Sequence, residues 1–169
     1  MSQWYSLKRK EWVIGAASAG FFLILIGTIF LITPGLFDKT LDFFHDYLKP
    51  GDELNLEPVF PDIESFVLPK PVNPEIHTTV YSAVLLFSMV WGIFKILTVV
   101  ARFALGSPMT KKAETASDVV FWLGTAYFIK TMLVDTTTWF GFWAVLIMLG
   151  GVSLIVRAII LAVGRVRTH

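Results

Sequence analysis

Long uncharged runs alternate with short charged ones along this chain, and their lengths predict the fold. Residues 13–32 contain no charged side chain, and a run of about 20 apolar residues lets a helix cross a bilayer. Residues 80–105 form a second run, broken only by Lys95 and Arg102. The third, 119–134, is short, carries Lys130, and reaches spanning length only when extended back to Thr115. The fourth, 139–163, is interrupted only by Arg157. The pattern predicts an all-α integral membrane protein, residues 1–169 forming one membrane domain with four transmembrane helices near 12–33, 78–105, 115–134 and 138–164. The first run follows Lys8-Arg9-Lys10 as a secretory signal would. It is longer than a signal core of about 7–15 residues and ends in Thr33-Pro34-Gly35, not a small-residue cleavage site, so it reads as a retained helix.

The segment 35–77, between the first two helices, changes character twice. From 36 to 48, Leu36, Phe37, Leu41, Phe44, Tyr47 and Leu48 recur at helical spacing, with Asp38, Lys39, Asp42, His45 and Asp46 opposite. Pro34-Gly35 and Pro50-Gly51 bound this stretch. It predicts an amphipathic helix lying flat at the outer interface, or packed by its apolar face on other helices or a partner. From 50 to 74, closely spaced prolines predict an extended strap, since proline lacks a donor and disfavours helix before it. The strap carries Phe60, Ile63 and Phe66, apolar residues that a disordered linker usually lacks. With Phe37 and Phe44 they form a candidate outer contact surface.

Charge orients the bundle. Lys8, Arg9 and Lys10 precede the first helix, Lys111 and Lys112 separate the second from the third, and Arg165 and Arg167 follow the fourth. Four crossings put all three groups on one side, which the positive-inside rule makes cytoplasmic. Both termini are therefore expected in the cytoplasm of a cell-membrane protein, with residues 35–77 outside, where acids outnumber bases. Composition agrees: the chain is 55% hydrophobic and 16% charged, with a mean hydropathy of +0.68, against about 45–50% and 25% for a soluble domain. A net charge of +1 gives no basic field for nucleic acid. With no cysteine, disulfides and thiolate chemistry are excluded.

Charges inside the spans are the chief candidates for chemistry, because each costs about 2.5–3.5 kcal/mol to insert. Arg102 lies near the inner end and is expected to snorkel to water. Lys95 lies two turns deeper, Asp118 is expected to open the third helix, and Arg157 lies two turns from the inner end of the fourth. Lys95, Asp118 and Arg157 thus form a candidate intramembrane charge layer, with Asp118 expected to pair with Lys95 or Arg157. Lys130 can reach Asp135. The bland reading is snorkelling plus one stabilising pair. His45 with Asp42 and Asp46 could face a metal, though a solvated helix face looks the same. His77 is expected at the interface. No nucleophile–base set, phosphate loop or HExxH motif occurs, and Met89, Met132 and Met148 lack the intramembrane histidine that a haem site needs. No catalytic residue, metal or cofactor is therefore expected, although a role as a quinone- or cofactor-binding subunit stays open.

Small residues line the first helix, with Ala16/Gly20 and Gly15/Ala19 at small-xxx-small spacing, and recur in the fourth at Gly150 and Gly151. They predict close helix contacts, within the chain or between subunits, the former being favoured. The expected function is non-enzymatic: a homo-oligomer or accessory subunit of a larger membrane complex, with the lipid bilayer and other membrane subunits as partners. The alternative is a small oligomeric transporter or channel for an anion or anionic lipid.

Overall fold

The computed structural model describes residues 2–48, 56–58, 67–69, 71 and 73–166. Helix α1 (Ser2–Ile32) ends at Thr33-Pro34, and Gly35, at φ 68°, turns the chain into α2 (Leu36–Tyr47). A 3₁₀ turn at Pro74–His77 leads into α3 (Thr78–Ala104). Gly106, at φ 69°, then reverses the chain into α4 (Met109–Phe128). Left-handed backbone of this kind is where glycine is the low-strain choice. A π-helical turn, Ile129–Val134, continues α4, and α5 (Trp139–Val166) follows a tight reversal. Four helical stretches, Arg9–Ile32, Pro74–Ala104, Met109–Val134 and Trp139–Gly164, are long and apolar enough to span a bilayer.

Helices α3, α4 and α5 form the close-packed part of the bundle. Gly92 lets α3 approach Leu123 so nearly that a Cβ there would lie 2.6 Å from its Cδ2. Gly124 does the same for Leu149 at 2.6 Å, and Gly164 for the Met109 Cγ at 2.8 Å. Without a hydrophobic drive between helices in lipid, such approach is the main source of packing energy. Helix α1 is peripheral. It meets α3 through Phe21, Leu25 and Ile29, against a seam that includes Ala83, Trp91 and Phe94, with the Phe21 and Phe94 rings stacked 4.1 Å apart.

The chain runs up and down. Glu11 meets Arg102, and Met109 meets Gly164, at one end of the bundle; Phe43, His77, Tyr81 and Trp139 gather at the other. The first end carries Lys111 and Lys112; the second is the α2 end.

Three expectations need correction. Helix α4 begins at Met109, earlier than residue 115: the polar stretch through Lys111, Lys112 and Glu114 is an extension of the helix, not a loop. Asp118 is therefore more than two turns inside α4, and a favourable helix terminus does not explain its charge. The Pro-rich segment does not run as a single strap either. Its described pieces, β1 (Leu56–Pro58) and β2 (Val67–Pro69), pair antiparallel with Leu56 opposite Pro69 and Pro58 opposite Val67. Both strands are edges, and the prolines sit at their ends, where a missing donor is tolerated. Finally, the small residues of α1 make no close contact among the described residues. Gly15, Ala16, Ala19 and Gly20 are exposed, and a Cβ built on Gly15, Gly20 or Gly27 meets nothing within 4 Å. The same holds for Gly150 and Gly151.

Candidate functional site

Among the described residues, the most enclosed polar contact lies at the α2 end. Asp46 and His77 are 7% and 4% exposed, and His77 Nε2 lies 3.0 Å from Asp46 Oδ2. The same oxygen accepts the Asn73 backbone N–H at 3.0 Å. Local structure produces this geometry. The 3₁₀ turn that opens at Pro74 swings His77 inward at the start of α3, and Asp46, in the last turn of α2, points towards it. Aromatic rings close the surroundings. Phe43 lies edge-on to His77 at 5.2 Å and to Tyr81 at 6.2 Å, and Tyr47 tilts against Trp139 at 6.1 Å. A carboxylate and an imidazole so enclosed fasten α2 to α3, because neither has water as an alternative partner.

This contact overturns one reading of the sequence: Asp46 is not on a solvated face. Helix α2 buries Leu36 and Asp46, half-buries Phe43, and leaves Phe37, Leu41 and Phe44 exposed, as is Leu48 just beyond it. Its most apolar face is therefore turned away from the described part of the protein. Phe37 and Phe44 belong to that face; Phe60, Ile63 and Phe66 lie outside the described residues. Among the described residues, no group of three His, Cys, Asp or Glu side chains converges on a metal position.

The intramembrane charges separate. Lys95 Nζ donates to Asp118 Oδ2 at 2.8 Å and sits 5.3 Å from the Trp91 ring centroid. Arg157 stands outside that contact, exposed on α5, near enough to Glu114 for their charges to interact. Lys130 Nζ reaches Asp135 at 2.7 Å. Arg102 makes more contacts than its place near the inner end implied. Its side chain is 13% exposed. It bonds the Lys111 carbonyl and the Thr115 hydroxyl, each at 2.6 Å, and lies 3.4 Å from Glu11. It thus ties α1, α3 and α4 together at one end. Glu11, adjacent to the first apolar run, was the sequence signal for this contact. Compared with family models, curated proteins and solved structures, the chain matches none.

Proposed function

We propose that this chain works by assembly in the cell membrane, as a homo-oligomer or as an accessory subunit of a larger membrane complex, with α1 as its principal contact helix. The observation that supports this reading is the outward small-residue stripe of α1. Gly15, Ala16, Ala19 and Gly20 keep small-xxx-small spacing on a surface that no part of the described chain covers. Such stripes let a second backbone approach closely, which is the usual basis of helix association in lipid. The exposed apolar face of α2 lies flat at the outer interface in this reading, with Phe37 and Phe44 towards lipid or a neighbour, and Phe60, Ile63 and Phe66 complete the outer contact surface. Both termini are cytoplasmic, because Arg102, Lys111 and Lys112 gather at the end that α1 enters.

A transporter or channel for an anion or anionic lipid is less well supported. Lys95 is matched by Asp118 and Lys130 by Asp135, which leaves Arg157 as the candidate cation for such a path. The assembly reading is tested by the mass of the protein in nanodiscs or mild detergent. A particle of several chains, reduced to one by Ala16→Ile with Gly20→Ile, supports it. A lone monomer at membrane-like concentrations, with no co-purifying subunit, overturns it.

A further inference from the structure

Two apolar crevices flank α3 in the half of the bundle nearer α2. One, of about 340 Å³, lies beside α1 under α2, with buried Ile29 and Leu36 in its wall. The other, of about 360 Å³, lies between α3 and α5 against α4, with buried Ile129, Leu133 and Phe142 in its wall. Phe43, Val80 and Val84 line both. A ridge of two valines, one turn apart on α3, therefore divides the crevices, and α2 reaches both through Phe43. Their surfaces are hydrocarbon. In the first, Thr40 donates its hydroxyl to the Leu36 carbonyl at 2.7 Å. In the second, the hydroxyls of Tyr81, Ser88 and Thr125 are buried behind the lining, reach neither the space nor, among the described residues, a hydrogen-bond partner, and so cannot hold a ligand there.

Size and position define the occupant. An apolar cavity of about 150 Å³ holds one benzene, so each crevice has room for on the order of a dozen carbons. From Val80 to Ser88, α3 rises about 12 Å, close to the depth of one leaflet in a hydrocarbon core about 30 Å thick. Water gains nothing in such a space, and an unfilled crevice forfeits the dispersion contacts of its walls. A helix, about 10–12 Å across, is too wide to enter, whereas a hydrocarbon chain can pass the exposed Phe30, Val84 and Trp143. The α2 end supplies a cation. Lys39 donates to the Thr79 hydroxyl at 3.0 Å, both residues lying one position before lining residues, Thr40 and Val80. Among the described residues Lys39 has no acid partner, yet Asp38 and Asp42 stand near it on α2, both exposed. One cation among acids does not favour a headgroup of net negative charge. It suits a headgroup that carries both signs. We propose that the two crevices hold the two acyl chains of one phosphatidylethanolamine, astride Val80 and Val84, with its phosphate at Lys39 and its ammonium at Asp42. The proposal rests on membrane insertion and does not depend on assembly through α1.

The test is native mass spectrometry of the full chain, released from nanodiscs of equimolar phosphatidylethanolamine and phosphatidylglycerol with the same acyl chains. One phospholipid should stay on each chain, with phosphatidylethanolamine in excess. Lys39→Gln should lower the retained fraction about 2- to 5-fold, the range for an exposed charge contact. Asp42→Asn should erase the preference between the two headgroups. Val84→Trp, at an exposed position common to both crevices, should abolish retention, and Val152→Trp, exposed on α5 away from them, should leave it unchanged. If Val84→Trp fails to yield a monodisperse particle, Lys39→Gln and Asp42→Asn decide. A scatter of loosely held lipids with no preferred number, an excess of phosphatidylglycerol, or retention unchanged in Lys39→Gln overturns the proposal. So does equal retention of a single-chain lysophosphatidylethanolamine. If Val84→Trp separates chains from one another and leaves lipid in place, the crevices dock a second copy and the lipid assignment falls.

Discussion

Replacing Asp46 with alanine tests whether the contact between α2 and α3 holds that end of the molecule together. The substitution removes the acceptor of two hydrogen bonds, from the Asn73 N–H and from His77 Nε2, each 3.0 Å long. His77 is left where the protein excludes water, at about 1–3 kcal/mol, whereas Asn73 is exposed and its N–H can turn to water. Asp46→Ala should therefore weaken the docking of α2 by about 1–3 kcal/mol. His77→Ala removes one of these bonds together with the edge-on ring contact to Phe43. In a double-mutant cycle, the part belonging to the Asp46–His77 contact should emerge as a coupling of about 1–3 kcal/mol. Amide exchange over residues 36–47 in nanodiscs measures it directly, since local opening sets the exchange rate. About 1.4 kcal/mol is tenfold in an equilibrium, so α2 amides in Asp46→Ala should exchange roughly 5-fold faster or more. Exchange within threefold of the parent, or additivity within about 0.5 kcal/mol, would refute the reasoning and reduce the contact to a coincidence of packing.

Other substitutions separate close packing from open surface. Gly92→Ala should destabilise the bundle by about 1–3 kcal/mol through overpacking against Leu123, whereas Gly20→Ala in the isolated chain should stay within about 0.5 kcal/mol; thermal unfolding in detergent compares them. Arg102→Ala should cost more than Lys130→Ala, because losing Arg102 strands Glu11 while Lys130 and Asp135 are both exposed; equal melting temperatures would contradict this. The chain has no cysteine, so single cysteines report topology cleanly: Asp38→Cys should label from outside intact cells and Lys111→Cys should not, and labelling of both would reject the proposed orientation.

Hydropathy made the four spans legible because each span needs an apolar run of bilayer length, and that requirement is local in sequence. The helical spacing of residues 36–48 was legible for the same reason. Contacts between distant residues were not. Asp46 and His77 are 31 positions apart, and each stands in a stretch whose polarity alone implies exposure. The start of α4 was hidden because Lys111, Lys112 and Glu114 resemble a connecting loop, although lysine and glutamate are good helix formers. Small-residue clusters in α1 drew attention away from isolated Gly92 and Gly124, yet a single glycine suffices where two helix axes come closest. The hydroxyls of Tyr81, Ser88 and Thr125 looked ordinary, because a serine or threonine in a helix normally bonds its own backbone and only coordinates reveal that these do not.

The π turn after α4 bears on how this chain tolerates change in length. Deleting one residue from a packed α-helix rotates everything beyond it by about 100° and exchanges buried for exposed positions down the remaining span. Between Ile129 and Val134 the backbone already runs one residue wide, as the bond from the Asp135 N–H to the Lys130 carbonyl at 3.0 Å records. A deletion there has a place to be absorbed, because the wide turn can tighten to ordinary α geometry while Phe128 and Trp139 keep their positions. This short stretch is therefore a slack point in an otherwise fixed register, where the chain can lose a residue and keep the bundle.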